Sequence, residues 1–467
     1  MLKRSHFYIG IVLLLNACVV GKNYERPPVE LPQQFSDKAP SDSSIAAVQW
    51  RQFFKDTVLV SLIDSAVKGN YDLQLAMKRI EEAEAYVKQA RAGYLPTITA
   101  QATASTSEPS KNSLNGKSLE SFIGQKHIED YTLSASASWE IDVWGKIKRQ
   151  KEEAVANYLQ SYEGAKAVQT SLVANLADGY FNLLALDKQL SITRKNLLLS
   201  DTLVRVTSLL KNAGQVTQLA IEQSVVQQQT AALLIPQLEQ QIAIQENEIR
   251  ILCGQLPSSI MRSDSLRNNA IGDSLSTGLP AELLSHRPDV RAAEMSLVAA
   301  NANVGVAQAN FYPSFNLSAT GGINAFKASK WFSIPASLFG TGLAAIAQPI
   351  LQQRQLKTNL EVAKVQREEA VITFRQQVLN ATGEVENALV QIDKLKSQQS
   401  IASQQVDTLN RAIFNAQLLF KSGFADYLEV ITAQSNLLNA ELNLATIERQ
   451  RLSAKLELYR ALGGGWQ

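Results

Sequence analysis

Much of this 467-residue chain is an internal duplication. At an offset of 217, Asp72 matches Asp289, Ala76 matches Ala293, Ala83 matches Ala300, Val87 matches Val304, Ala90 matches Ala307 and Ala92 matches Ala309, leading up to Pro96 and Pro313. Further along the offset becomes 209. It then joins Ile141 to Ile350, Lys148 to Lys357, Ala154 to Ala363, Gly214 to Gly423, Leu219 to Leu428, Ala231 to Ala440, Leu233 to Leu442 and Gly254 to Gly463. The change of offset falls between Pro96 and Ile141, in the first copy's hairpin loop. A duplicated unit must satisfy one folding plan twice, so each element in one copy predicts its counterpart in the other.

Each copy reads as helix, strand, loop, strand, very long helix, tight turn and long helix. The strand predicted over 131–143 has Tyr131, Leu133, Ala135, Ala137, Trp139, Ile141 and Val143 on one face and Thr132, Ser134, Ser136, Ser138, Glu140 and Asp142 on the other. That alternation is a strand with one apolar and one polar side. Its partner over 97–107 sets Ile98, Ala100, Ala102 and Ala104 against Thr97, Thr99, Gln101 and Thr103. In the second copy, 314–323 alternates Phe315, Leu317 and Ala319 with Asn316, Ser318 and Thr320, while 338–348 alternates poorly. Strands of roughly 9–11 residues suit an outer-membrane barrel, apolar toward lipid and polar toward the lumen. Periodicity alone equally allows a pair of soluble hairpins. Residues 331–353 carry no charge, but Pro335, Gly340, Gly342 and Pro349 argue against a membrane helix there. The smallest barrels have about eight strands, so four barrel strands imply several chains sharing one barrel.

No proline interrupts Ile147 to Asn212, which as helix would extend roughly 100 Å. A helical pattern of that length suggests a coiled coil. The shorter helix carries a heptad frame at Ile235, Leu238, Ile242, Gln245, Ile249 and Leu252, and 209 residues on the frame reads Leu444, Ile447, Arg451, Ala454, Leu458 and Ala461. Pro236 removes a donor inside this helix and predicts a kink. Both long helices run to a glycine, Gly214 or Gly423, suited to a left-handed C-cap, and three residues later come Thr217 and Asp426, good N-caps for a return helix. The prediction is two helical hairpins, over about 146–254 and 353–461, with tips at Gly214, Gln215 and Thr217 and at Gly423, Phe424 and Asp426.

The N-terminus reads as an address. Lys3 and Arg4 precede an apolar run from Phe7 to Leu15, the plan of a signal peptide over 1–17 and too short to span a bilayer. It ends in Leu-Asn-Ala-Cys, which resembles the bacterial lipoprotein cleavage signal and makes Cys18 the expected lipidated residue, with ordinary signal cleavage beside an incidental Cys as the alternative. Val19 stands where an inner-membrane retention signal usually has Asp, which favours the outer membrane. Cys253 is then expected to be a small buried residue near a helix end, without a disulfide.

Composition excludes more than it assigns. With 45 Lys and Arg against 43 Asp and Glu, the chain has no general electrostatic claim on nucleic acid. Three His and two Cys are too few for an ordinary zinc site, His127 and His286 fall in different copies, and four Met make no methionine-rich path for copper. No metal, cofactor or catalytic constellation is predicted. Asn115-Gly116-Lys117-Ser118 ends like a phosphate loop, yet Lys111 stands where the first glycine is required, so the stretch reads as a polar surface loop. Glu81, Glu82 and Glu84, like Glu368 and Glu369, read as solvated helix faces.

Five segments together resemble the TolC-like outer-membrane efflux protein family, in its lipoprotein (OprM/NodT-type) branch. They are VVGKNYERPPV after Cys18, the run from Trp50 to Ala83, WEIDVWGK at 139–146, HRPDVRAAEMSLVAANANVGVAQANFYPSF at 286–315, and the terminal LGGGW ending at Trp466. The layout implied is a signal peptide over 1–17, a lipid-anchored extension over 18–49, a first repeat over 50–262, a linker over 263–279 and a second repeat over 280–467. The implied fold class is mainly α with a membrane β part. In it a homotrimer shares a twelve-stranded outer-membrane barrel that continues into a periplasmic helical barrel. The implied function is a passive gated duct for small molecules, set in outer-membrane lipid, docking with a periplasmic adaptor (membrane fusion) protein and an inner-membrane pump of RND type. A protein-secretion duct and a lipid-anchored adaptor or scaffold are the alternatives. An adaptor would show one hairpin flanked by compact β domains, not two copies with alternating strands.

The resemblance extends to the tips. The family has an aromatic residue and acidic rings near its second hairpin. Phe420 falls at the aromatic position and Glu429 at one acidic position, while Thr432 replaces the other acid, VITAQ standing where related lipoproteins often read VLDAQ. These are the gate candidates, and the tip residues named above are the adaptor-contact candidates. A single ring of Glu429 would favour cations at a narrow aperture. Asp426-Tyr427-Leu428-Glu429 equally reads as a capping box, and Phe420 as ordinary coiled-coil packing.

Overall fold

The computed structural model describes residues 19–32, 34–35, 44–124, 126–263, 277 and 279–467. The signal peptide, Cys18 and most of the linker predicted over 263–279 lie outside the described residues. A helical turn at Trp50–Phe53 leads into α1 (Thr57–Gly69) and α2 (Tyr71–Ala92). Then follow β1 (Thr97–Ser107), α3 (Leu114–Ile123), β2 (Ile128–Ile141), α4 (Lys146–Asn212) and α5 (Gln218–Leu252). The second copy repeats the order with α6 (Pro288–Ala309), β3 (Ser314–Ala325), β4 (Leu338–Ala347), α7 (Gln355–Lys421) and α8 (Tyr427–Ala461).

Packing divides the chain across the repeats. One compact unit takes Glu81–Leu159 and Met295–Ile372 with the N-terminal segment to Pro27; the other takes Pro28–Ile80, Gln160–Glu294 and Thr373–Gln467. Each repeat contributes to both, because α4 and α7 begin in the strand-bearing unit and end in the helical one.

In the strand-bearing unit the four strands form one antiparallel sheet in the order β1-β2-β3-β4. Ala137 stands opposite Ile98 and Ala319, Leu133 opposite Ala102 and Ile323, and Phe315 opposite Ile346. Directly paired residues share a face, so Ile98, Ala102, Leu133, Ala137, Trp139, Leu317, Ile323 and Leu338 lie on one apolar side. The register also explains the weak pattern of β4. Its apolar face carries Gly340 and Gly342, opposite Gly321 and Ala319, while Phe339 and Leu343 interrupt the polar side.

Element ends depart from the sequence expectation for identifiable reasons. β2 covers Ile128–Ile141, not 131–143: it starts earlier, with Ile128 paired to Ser107 on β1, and ends earlier because the Asp142 carboxylate leaves the strand to accept from the Ile147 and Lys148 amides, 3.1 and 2.9 Å, at the start of α4. β3 runs to Ala325, two residues beyond the predicted end, with the Asn324 amide donating to Asp130 and Thr132 across the sheet. β4 stops at Ala347 instead of 348, where the Gln348 side chain turns to the Phe311 carbonyl. Gly116, Lys117 and Ser118 lie in α3 and not in a surface loop; Ser113 Oγ caps that helix by accepting from the Gly116 N–H, 3.1 Å. A phosphate-binding turn is thereby ruled out at this stretch. Residues 331–353 include β4, and no described helix is long and apolar enough to cross a membrane.

The helical unit is built around aromatic side chains. Trp50, Phe54 and Tyr459 are almost completely buried; the Phe53 and Tyr459 rings stack at 3.9 Å, and the Tyr459 hydroxyl donates to the Val48 carbonyl, 2.6 Å. Asp56 caps α1 by accepting from the Val58 and Leu59 amides and also receives the Tyr180 hydroxyl, 3.0 Å. Along α5 and α8 the heptad frame is buried at Leu238, Ile242, Ile249, Ile447, Ala454, Leu458 and Ala461. Helix α5 continues through Pro236 without ending there. Cys253 is free and buried at the α5 C-terminus, where burial pushes its thiol pKa up.

The 286–315 motif accounts for a buried ion network. Arg287, 3% exposed, donates to Asp289 (2.9 and 2.5 Å), to Glu384 (2.7 Å) and to the Ala461 carbonyl (3.1 Å). A buried guanidinium is tolerated only when its donors are met. Burial disfavours the charged Asp289 carboxylate, but Arg287 and the Gln377 amide outweigh it and hold the acid below its ordinary pKa.

Candidate functional site

Four helices end with one device. At Gly214 (φ 75°) its N–H reaches the Lys211 carbonyl, 2.8 Å, and the Gln215 N–H reaches Leu210, 2.9 Å. At Gly423 (φ 76°) the same bonds run to Phe420, 3.1 Å, and from Phe424 to Leu419, 2.9 Å. These are Schellman motifs, which satisfy the last carbonyls and turn the chain sharply. Gly254 and Gly463 repeat them at the ends of α5 and α8, with bonds to Ile251 and Arg460. The αL backbone costs L-residues roughly 1–2 kcal/mol, which is why glycine stands at both tips.

The two tips differ chemically. Position 426 is Asp, whose carboxylate accepts from the Tyr427 amide, 3.1 Å; its counterpart Thr217 sits at the N-cap of α5 but makes no side-chain cap bond. Thr217 is therefore a cap by position only. The Glu429 N–H donates to the Asp426 carbonyl, 3.2 Å, so the first turn of α8 is held by backbone and by Asp426, without the bond donated by the Glu429 N–H to Asp426 Oδ that a capping box requires. Glu429 and Thr432 are exposed on one side of α8, Phe420 is half-buried, and Phe424 is 84% exposed. Thr432 Oγ1 donates to the Leu428 carbonyl of its own helix, 2.8 Å. In the first copy Lys211, Thr217 and Ala220 stand where the second has Phe420, Asp426 and Glu429, so an aromatic and two acids belong to one tip alone.

Sequence reasoning missed a buried polar layer close by. Gln434 on α8 is completely buried with neither amide atom of its side chain partnered among the described residues, and Asn196 Oδ1 and Ser200 Oγ on α4 share that condition. The signal was legible in principle as a polar residue on an otherwise apolar heptad face. Among the described residues no group of three or more His, Cys, Asp and Glu is placed to hold a metal ion.

A four-stranded sheet with an apolar face, in a chain of paired long-helix hairpins, fits an outer-membrane channel protein. The comparisons with known proteins agree. Residues 62–255 and 279–464 match the family described as outer membrane efflux protein, and the chain belongs to that family. It is 30% identical to the cation efflux system protein CusC of Escherichia coli O6:H1, over 98% of both chains. It is 28% identical to the probable outer membrane lipoprotein SilC of Salmonella typhimurium, over the full length of both, and 28% identical to the solvent efflux pump outer membrane protein SrpC of Pseudomonas putida, over 97% of both. In structure it superposes on CusC with TM-score 0.86 at 27% identity, covering 96% of this chain and all of that one. The Neisseria gonorrhoeae MtrE outer membrane channel gives TM-score 0.86 at 26% identity, over 96% of this chain and 99% of that one. The protein is the outer-membrane channel component of an efflux system. The adaptor-like arrangement of one hairpin between compact β domains is not what it folds into.

Proposed function

We propose that three copies of this chain form a passive, gated duct, through which an inner-membrane pump of RND type, joined by a periplasmic adaptor, drives small molecules out of the cell. The observation that carries this is the sheet: one face is apolar apart from the Thr106–Glu129 pair at one end of β1 and β2, and β1 and β4 each have an edge that no other described strand meets. In lipid every unsatisfied backbone group costs several kcal/mol, so such edges must be met by other chains. Three sheets close a barrel of twelve strands, above the minimum of about eight. Nothing is hydrolysed in the duct; the energy comes from the pump.

Lipidation at Cys18 is supported by the signal pattern before it and by the lipoprotein name of SilC. Adaptor docking at the tips is supported by the exposure of Gly214, Gln215, Thr217, Gly423, Phe424 and Asp426. Threefold symmetry would gather three Phe420 and three Glu429 into a constriction, whereas Thr432 adds no second acidic ring. The names of the relatives cover cations, solvents and toluene, which favours a tolerant duct whose cargo is chosen by its partners.

Planar-bilayer recording of the purified protein tests the reading. Wild type is expected to give gated, cation-preferring conductance, and Glu429→Gln to weaken that preference with the trimer intact. Unchanged selectivity would reduce Glu429 to a helix-terminus residue. Intact trimers without conductance would overturn the duct.

A further inference from the structure

The segment that follows Cys18 is fastened to the strand-bearing unit by one guanidinium. Arg149, near the start of α4 and 3% exposed, directs Nε to the Val20 carbonyl (3.3 Å) and Nη2 to the Gly21 carbonyl (2.9 Å) and Asn23 Oδ1 (3.0 Å). Its Nη1 pairs with Glu152, 2.6 Å. The Val20 N–H donates to the Trp144 carbonyl, 3.0 Å, and Asn301 Nδ2 on α6 donates to the Lys22 carbonyl, 3.1 Å. Three consecutive carbonyls of a short segment are thus taken up by two helices.

At Gly21 the segment lies directly against the helices. Gly21 has φ 91°, and a Cβ there would come 2.9 Å from Gly305 Cα. A Cβ on Gly305 would in turn come 2.9 Å from Arg149 Cγ. Segment, guanidinium and α6 therefore stack at a separation that only glycine permits. The segment enters at the Trp144 carbonyl, where the strands give way to helix. There the Trp144 ring lies 4.8 Å from Tyr312 and its Nε1 donates to the Pro313 carbonyl, 2.7 Å, while Trp139 Nε1 donates to the Tyr94 carbonyl. Aromatic side chains at strand ends mark the membrane interface of a barrel.

We propose that this site is a receptor for the lipid-anchored end of the chain, with Arg149 as its positioning residue. It holds the peptide next to Cys18 at the aromatic rim, so that acyl chains and strands enter the same leaflet and barrel assembly is coupled to lipidation. The inference rests on the reading of Cys18 as the anchor and of the strands as a barrel. A clamp that merely stiffened the helix pair would act whether or not the lipid was present.

Coupling is measured by a double-mutant cycle. Formation of heat-resistant trimer is followed by pulse-labelling the full chain in its native membranes, for wild type, Cys18→Ser, Arg149→Met and the double variant, with palmitate incorporation measured in parallel. Arg149→Met is expected to take up palmitate like wild type and to assemble roughly tenfold more slowly, a loss equal to about one charged hydrogen bond. The double variant should be no slower than Cys18→Ser alone. Arg149→Lys, which keeps the charge but not the fork, should recover only part of the rate. Assembly of Arg149→Met at the wild-type rate, or equal slowing in the Cys18→Ser background, overturns the proposal. Should Arg149→Met fail to accumulate, Asn301→Ala, which removes only the Lys22 contact, replaces it in the same cycle. Palmitate labelling separates the two readings: no label on wild type overturns the anchor and the coupling with it, whereas label with additive rates overturns the coupling alone.

Discussion

Gly423 adopts φ 76° at a tip where nothing lies within 4 Å of an added Cβ, so substitution there meets backbone strain and no crowding. Gly423→Ala is expected to destabilise the chain by about 1–2 kcal/mol, read as a lowered thermal midpoint, with Gly214→Ala costing about the same. Equal, small losses would support the shared capping device, and no loss at either would contradict it. These glycines were legible because few residues tolerate that backbone conformation. Thr217 and Asp426 looked alike by residue type, yet only Asp426 bonds an amide with its side chain. Arg149 was not legible at all. In the run Lys146-Ile147-Lys148-Arg149 it reads as one more solvated base, and its burial depends on a segment 126 to 129 residues away.

Helix ends and strand faces were predictable from local rules, because capping and period two depend on neighbours in sequence. Strand ends were not. Asp142 fits the polar face of β2 but is drawn off to cap α4, a competition visible only when both elements exist. The ion network at the start of α6 likewise needs α7, which supplies Glu384, and the end of α8, which supplies Ala461. Asp289 is held below its ordinary pKa there. A depressed carboxylate contributes stability that is present above its unfolded pKa of about 3.9 and lost as pH falls through the lower folded value. Acid unfolding should therefore steepen below about pH 4, and Asp289→Asn should flatten that dependence in pH-resolved melts. The buried polar layer makes the opposite kind of prediction. Gln434 has no partner for either amide atom among the described residues, so Gln434→Leu should raise stability by about 1–3 kcal/mol in denaturant titrations. A loss of similar size would mean that the assembled channel supplies the missing partners.

At the scale of the whole molecule, the duplication was read directly from the sequence, but the compact units were not. Packing groups the strand-bearing parts of both repeats together and the hairpin-bearing parts together. A repeat in sequence records how the chain arose, whereas compactness records where apolar surface is buried, and a helix of 67 residues lets the two diverge. The central claim is that the free edges of β1 and β4 are closed by other copies of the chain. The mass of the detergent-extracted membrane protein, measured by light scattering and corrected for bound detergent, tests it most directly. Three chains per particle is the predicted result. A monomeric particle, or a protein washed from membranes once its lipid anchor is removed, would contradict the shared barrel.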